Sequence, residues 1–112
     1  MSKRLARVSG TLQHELSDII KKETSDPRLE DLIITEVDVS PDLRYAVVYI
    51  STLTSDVNQA LEALKKAKGY LKKHIGRHLK MRYLPDLEFR EDKSLNHAMK
   101  IESMIKKIRG KE

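Results

Sequence analysis

The sequence contains no cysteine. Disulfides, thiolate metal sites and a cysteine nucleophile are thereby excluded, and a reducing compartment suits the protein. Long apolar runs are missing as well. The longest, Ala46 to Ile50, falls far short of the ~20 residues a bilayer-spanning helix needs. Lys3 and Arg4 resemble the start of a secretory leader, but Arg7, Gln13, His14 and Glu15 interrupt the apolar stretch such a leader needs. These absences predict a soluble cytosolic domain that spans no membrane.

Glycine is scarce, and Gly10, Gly69, Gly76 and Gly110 stand apart, so there is no glycine-rich loop to cradle a phosphate. His14-Glu15 opens like a metalloprotease helix motif, but Asp18 occupies the position of the second histidine. His74 and His78 lie four apart, a two-point metal grip with no nearby carboxylate to complete it. Glu91 and Asp92 are adjacent, and neighbours on a strand point to opposite faces. Catalysis, a bound metal and a cofactor are therefore not expected.

What is present is charge, and it is segregated. In 112 residues, 22 Lys and Arg face 17 Asp and Glu, a net charge of +5. Between Glu23 and Glu62 nine residues are acidic and only Arg28 and Arg44 are basic. Between Lys65 and Arg82 the pattern inverts: Lys65, Lys66, Lys68, Lys72, Lys73, Arg77, Lys80 and Arg82 have no acidic companion. A merely solvated helix face carries acidic partners at i,i+4, and an uncompensated block repels itself. Such a block points to a polyanion. Smaller clusters sit at the ends: Lys3, Arg4 and Arg7, then Lys106, Lys107, Arg109 and Lys111.

Apolar periodicity supplies the elements. Leu5, Val8, Leu12, Leu16, Ile19 and Ile20 recur every three or four residues, predicting a helix over 3–23 that Ser25-Asp26-Pro27 stops. Residues 32–39 and 44–52 alternate as strands around the turn Ser40-Pro41-Asp42 and form an antiparallel pair. Thr54, Ser55 and Asp56 can cap a long helix to about Lys80. Pro85 precedes a third strand, Leu87 to Arg90, and Ser94 opens a last amphipathic helix. The order α-β-β-α-β-α predicts an α+β fold, with helices packed on one face of a three-stranded sheet.

On the long helix, Val57, Ala60, Leu61, Leu64, Ala67, Leu71, Ile75 and Leu79 share an arc of roughly 120°. Lys66, Lys73, Arg77 and Lys80 project to the far side. Lys68 falls inside the apolar arc, and Gly69 follows it. Both oddities disappear if the helix bends or breaks at Ala67-Lys68-Gly69 and Lys68 turns to solvent. The competing reading is that Gly69 permits close packing while Lys68 snorkels. Tyr45 and Tyr49 share a strand face; packing against a helix is the favoured use, and base stacking the other. Few base-reading side chains accompany the basic block, which suits a shaped, folded RNA. Alternative readings are a nucleoid-type DNA-binding protein and a module for an acidic protein partner.

The run Ala67-Lys68-Gly69, Leu71 to Leu79, Lys80-Met81-Arg82-Tyr83-Leu84-Pro85 and Leu87-Glu88-Phe89 resembles ribosome-binding factor A. So do the strand-turn-strand Val39 to Ser51 and the opening Arg4-Leu5-Ala6-Arg7-Val8 with Leu12, Glu15 and Leu16. The likeness runs from about Arg4 to Asp92. It implies a type II KH-like domain over 1–93, with an interhelical kink at Ala67, Lys68 and Gly69 in place of the usual GxxG loop. A basic C-terminal helix and short tail over 94–112 would complete the chain. It also implies a non-catalytic factor that binds the small ribosomal subunit and its rRNA during late maturation. Aid to 5′-end processing of small-subunit rRNA, growth in the cold and concert with assembly GTPases belong to the same implication. The RNA-binding residues expected are Lys3, Arg4, Arg7, Lys65, Lys66, Lys68, Lys72, Lys73, Arg77, His78, Lys80 and Arg82. Nothing in the sequence demands more than a monomer.

Overall fold

The computed structural model describes residues 3–79, 84–94, 102, 105 and 106. The first helix, α1 (Lys3–Glu23), buries Leu12, Leu16, Ile19 and Ile20. Lys21 and Lys22 in its last turn suit the negative end of the helix dipole. The Thr24 hydroxyl donates to the Ile20 carbonyl at 2.6 Å, satisfying one of the orphan acceptors of a helix end. Asp26 then accepts from the Arg28 N–H at 2.9 Å and opens a single 3-10 turn, Pro27–Leu29.

Three strands come next: β1 (Leu32–Val39), β2 (Tyr45–Thr52) and, after the long helix α2 (Val57–Leu79), β3 (Asp86–Glu91). β1 and β2 are antiparallel, while β3 lies parallel to β2. A parallel neighbour requires a crossover, and α2 supplies it. Between β1 and β2, Asp42 organises the turn by accepting from the Ser40 hydroxyl at 2.6 Å and the Arg44 N–H at 3.1 Å. Leu43 holds a left-handed φ of 62° there, costly for a side chain with a Cβ, and its packing against the core keeps it in place. Asp56 caps α2 by accepting from the Asn58 N–H at 2.9 Å.

The core lies on one face of the sheet. Ala46, Val48 and Ile50 are 1%, 0% and 0% exposed. They sit opposite Val39, Val37 and Ile34 on β1, and beside Leu87 and Phe89 on β3. Leu12 and Leu16 of α1 and Leu64, Leu71 and Ile75 of α2 close over them. The register slips by one residue between Ile34 and Glu36, a β-bulge centred on Thr35. Thr35 stays in phase with Val37 and Val39, and the slip brings Ile34 to the core face beside it; the Thr35 hydroxyl donates to the Asp92 carboxylate at 2.6 Å.

The order of the first five elements and the face each strand buries agree with the sequence reading, and the fold is an α+β domain of the KH-like kind. Other details differ. α2 is continuous through Ala67-Lys68-Gly69, so the helix is not interrupted there. Lys68 does not turn to solvent; it reaches Asp86 at the start of β3. Close packing does not explain Gly69 either, because a Cβ there would meet nothing within 4 Å. At Gly76, by contrast, a Cβ would come within 3.3 Å of Leu84 Cδ1, so this glycine admits the chain returning toward β3. Of the expected C-terminal helix, only positions 102, 105 and 106 fall within the described residues, all helical. The boundary expected at 93/94 therefore lies at the edge of the described region.

Candidate nucleic-acid interface

α2 sorts its cations by angle. At 3.6 residues per turn, Lys66, Tyr70, Lys73 and Arg77 fall within about 60° of one another on the side opposite the buried leucines. Lys65, Lys66, Lys73, Arg77 and His78 are exposed. Among the described residues, no carboxylate lies within ion-pair distance of Lys65, Lys66, Lys73 or Arg77. This stripe is a row of exposed cations without a direct ion pair, although Lys66 also acts on the Asp26 carboxylate; such a row can release counterions from a phosphate backbone.

Two cations of the same block behave otherwise. Lys68 Nζ lies 3.0 Å and Lys72 Nζ 3.7 Å from the same Asp86 oxygen, Oδ1. The hydrogen bond from Lys68, its charge and the weaker pull of Lys72 hold the Asp86 carboxyl below its ordinary value, against a small opposing effect of burial. The side chains of both lysines are 36% exposed. Lys68 and Lys72 thus fasten the flank of α2 to β3. Both lysines expected to bind RNA thus share one carboxylate in the unbound chain.

The remaining expected residues are dispersed. Lys3, Arg4 and Arg7 are exposed on the first turns of α1. The other end of α1, at Glu23, meets Tyr70 of α2. A helix of that length spans about 30 Å, so this cluster forms a separate patch from the end that touches α2. Lys80 and Arg82 lie outside the described residues. His78 is exposed near the end of α2. His74 engages Tyr70 instead of a metal-like partner, with ring centroids 4.3 Å apart and planes tilted by 53°. Among the described residues, no group of three His, Asp or Glu side chains converges on a point that could hold a metal ion.

The favoured reading of Tyr45 is also corrected. It is 61% exposed, so no helix covers it; with Lys65 and Lys68 of α2 and Asp86, Glu88 and Phe89 of β3 it lines a shallow groove of about 400 Å³. Tyr49, half-buried, sits between Glu36 of β1 and Arg90 of β3. Glu36, Asp38 and Glu88 are exposed on the sheet face opposite the core. Charge segregation along the chain thus becomes segregation in space, with carboxylates on the open side of the sheet and cations on the outer side of α2.

Tyr70 was missed by the sequence reading. Its signal is the angular count that singles out Lys66 and Lys73, because four residues after Lys66 and three before Lys73 place it between them. The Tyr70 hydroxyl donates to Glu23, 3.3 Å from Oε2 and 3.4 Å from the carbonyl oxygen. Desolvation, and then the Glu23 carboxylate, raise the phenol above its ordinary value and keep it a neutral donor.

Among the described residues, no helix is long and apolar enough to cross a membrane. A family profile described as Ribosome-binding factor A matches residues 4–105. The ribosome-binding factor A of Acetivibrio thermocellus is 45% identical over 105 residues, covering 91% of this chain and 85% of that protein. The crystal structure of ribosome-binding factor A from Thermus thermophilus superposes with a TM-score of 0.73 at 32% identity, over 78% of this chain and 93% of that one. Coordinates of the Thermus thermophilus protein fitted into the cryo-EM map of its 30S complex give a TM-score of 0.67 at 32% identity, over 77% and 92% of the two chains. With the α-β-β-α-β order and the basic helix already established, these likenesses lead to one conclusion: the chain belongs to the ribosome-binding factor A family.

Proposed function

We propose that this protein is a non-catalytic assembly factor that binds the small ribosomal subunit and its rRNA during late maturation. The observation that carries the reading is the stripe Lys66, Lys73 and Arg77, exposed on the outer face of α2 and, among the described residues, in no direct ion pair. The 30S complex of the Thermus thermophilus relative supports the choice of polyanion. Lys65, His78 near the end of α2 and the separate exposed cluster Lys3, Arg4 and Arg7 are proposed to add contacts, and Lys80 and Arg82 remain candidates from the sequence.

The mechanism is differential affinity. A bound protein shifts an rRNA conformational equilibrium only as far as it binds one state better than the other. The factor therefore holds an immature arrangement and leaves when the finished one forms, without any covalent step. Assistance to 5′-end processing of small-subunit rRNA, adaptation to cold and cooperation with assembly GTPases are consequences of that hold. Cold stabilises misfolded RNA helices, so a factor that favours the productive arrangement matters most there.

Co-sedimentation of the wild-type chain with immature small-subunit particles, mature subunits and free rRNA, at several salt concentrations, tests the reading. The expected result is tightest binding to immature particles. Lys65, Lys66, Lys73 and Arg77 alone, as about four phosphate contacts, predict a slope of log affinity against log salt near −3, and contacts from the other clusters steepen it. Equal, salt-independent binding to all three would reject the proposal. Equally tight binding to duplex DNA would favour a nucleoid-type protein, and complexes that survive nuclease would favour a protein partner.

A further inference from the structure

Tyr70 is exposed where the fold gives it little reason to be. It is 42% exposed, and with Tyr45 it forms the pair of exposed large hydrophobic side chains among the described residues. An aromatic ring left that far in water forgoes much of its burial energy. Its contact with His74, at 4.3 Å and a 53° tilt, is an i,i+4 pair of the kind that adds only a little helix stability. The hydroxyl link to Glu23 is long, at 3.3 Å. These internal contacts orient the ring without covering it.

The surroundings of the ring select a ligand. Lys66, Lys73 and Arg77 border it at i−4, i+3 and i+7 on the same helix face. The preceding residue, Gly69, is exposed, and a Cβ there would meet nothing within 4 Å. Gly69 thus adds no side chain to the exposed surface one position round from the ring. A π-face held by a second ring, bordered by three cations and by the Glu23 carboxylate that accepts from its hydroxyl, combines the two elements of single-strand recognition: a stacking platform and a phosphate track. Helical RNA keeps its bases stacked inward and offers such a ring nothing to stack on.

We propose that Tyr70, braced by His74, stacks on an unpaired rRNA base while Lys66, Lys73 and Arg77 hold the adjoining phosphates. This rests on the reading of the α2 stripe as an RNA-binding face and adds to it a preference for unpaired nucleotides.

The test uses the full chain and two probes, a mixed-sequence single-stranded oligoribonucleotide and an RNA duplex of the same length, measured by fluorescence anisotropy. Tyr70→Leu removes the ring and the Glu23 link, while Tyr70→Phe removes only the link. Tyr70→Leu should lose roughly 5- to 100-fold in single-strand affinity, the size of one base-stacking contribution. Tyr70→Phe should stay within about 2-fold of wild type, and duplex affinity and salt slope should not change. The chain has no tryptophan, so Tyr70→Trp supplies a lone fluorophore that single-stranded RNA should quench and duplex should not. Wild-type single-strand affinity in Tyr70→Leu, an equal loss for both probes, or a loss shared by Tyr70→Phe would each overturn the stacking proposal. Failure of the wild-type chain to bind RNA in a salt-dependent way would instead overturn the underlying reading of α2.

Discussion

Lys68 and Asp86 are joined at 3.0 Å across the seam between α2 and β3, and Lys72 reaches the same carboxylate oxygen from one turn further along. A strand thereby claims two cations of a block whose other described lysines and arginine face water. The basic face is narrower than the sequence suggests, and each cation's contribution to polyanion binding depends on whether a carboxylate already holds it.

Removing the carboxylate should release both lysines. Asp86→Asn is expected to tighten binding to rRNA a few-fold at about 0.1 M salt and to steepen the salt dependence by about one to two contacts. Conversely, Lys73→Ala and Arg77→Ala should each flatten the slope by about 1, while Lys68→Ala and Lys72→Ala change it less. Salt titrations of the five proteins check this. Equal effects for all four cations would show that the Asp86 pairs do not matter in solution.

The two glycines of α2 should respond differently to the same change. Gly69→Ala adds a methyl group in open space and should raise stability by about 0.5–1 kcal/mol, the gain expected from helix propensity and a less flexible unfolded chain. Gly76→Ala brings its methyl group to 3.3 Å from Leu84 Cδ1, so the shift of Leu84 should cancel part or all of that gain. Urea unfolding of the two variants gives the comparison directly.

Thr35 couples the bulge in β1 to the chain leaving β3, through its 2.6 Å hydrogen bond to Asp92. Thr35 is 6% exposed, so water does not readily replace the lost donor. Thr35→Val should cost about 1–2 kcal/mol, and Thr35→Ser should recover most of it. Equal stability of the valine and serine variants would deny the hydrogen bond any part in holding β1 to the end of β3.

Asp31 sets an acid limit. Burial pushes its carboxyl up, but hydrogen bonds from Thr54 and Ser55 outweigh burial and hold it down at about 2, against an ordinary value of 3.8. Because the folded value is the lower one, the stabilisation is present in full above about pH 4 and disappears as pH falls through about 2. Asp26, lowered to about 2 chiefly by the hydrogen bonds from Arg28, titrates in the same window. Asp31→Asn should therefore flatten, without abolishing, the decline in the urea midpoint between pH 4 and 2. An unchanged profile would remove Asp31 as a contributor.

The fold was readable because its determinants are local. Leu12, Leu16, Ile19 and Ile20 mark one face of α1, and Ala46, Val48 and Ile50 mark one face of β2 with no help from distant residues. The bulge at Thr35 was not readable, since its partner Asp92 is 57 positions away. Lys68 shows the same limit within the site. Its conflict with the apolar arc was visible, but its resolution depends on Asp86, a strand residue that helical periodicity does not reach. Gly76 is explained only by Leu84, which returns to α2 after the helix has ended. Tyr70 was legible by the same angular position that places Lys66 and Lys73, whereas Tyr45 and Tyr49 lie on a face rich in carboxylates.

The most direct measurement of the central claim is crosslinking to small ribosomal particles, comparing the wild-type chain with Lys66→Glu/Lys73→Glu/Arg77→Glu. Circular dichroism and thermal unfolding serve as the check on folding. Exposed charges on the outer face of α2 contribute little to the core, so the variant should remain folded and lose its rRNA crosslinks. A folded variant that retains wild-type crosslinks would contradict the assignment of this helix face to RNA.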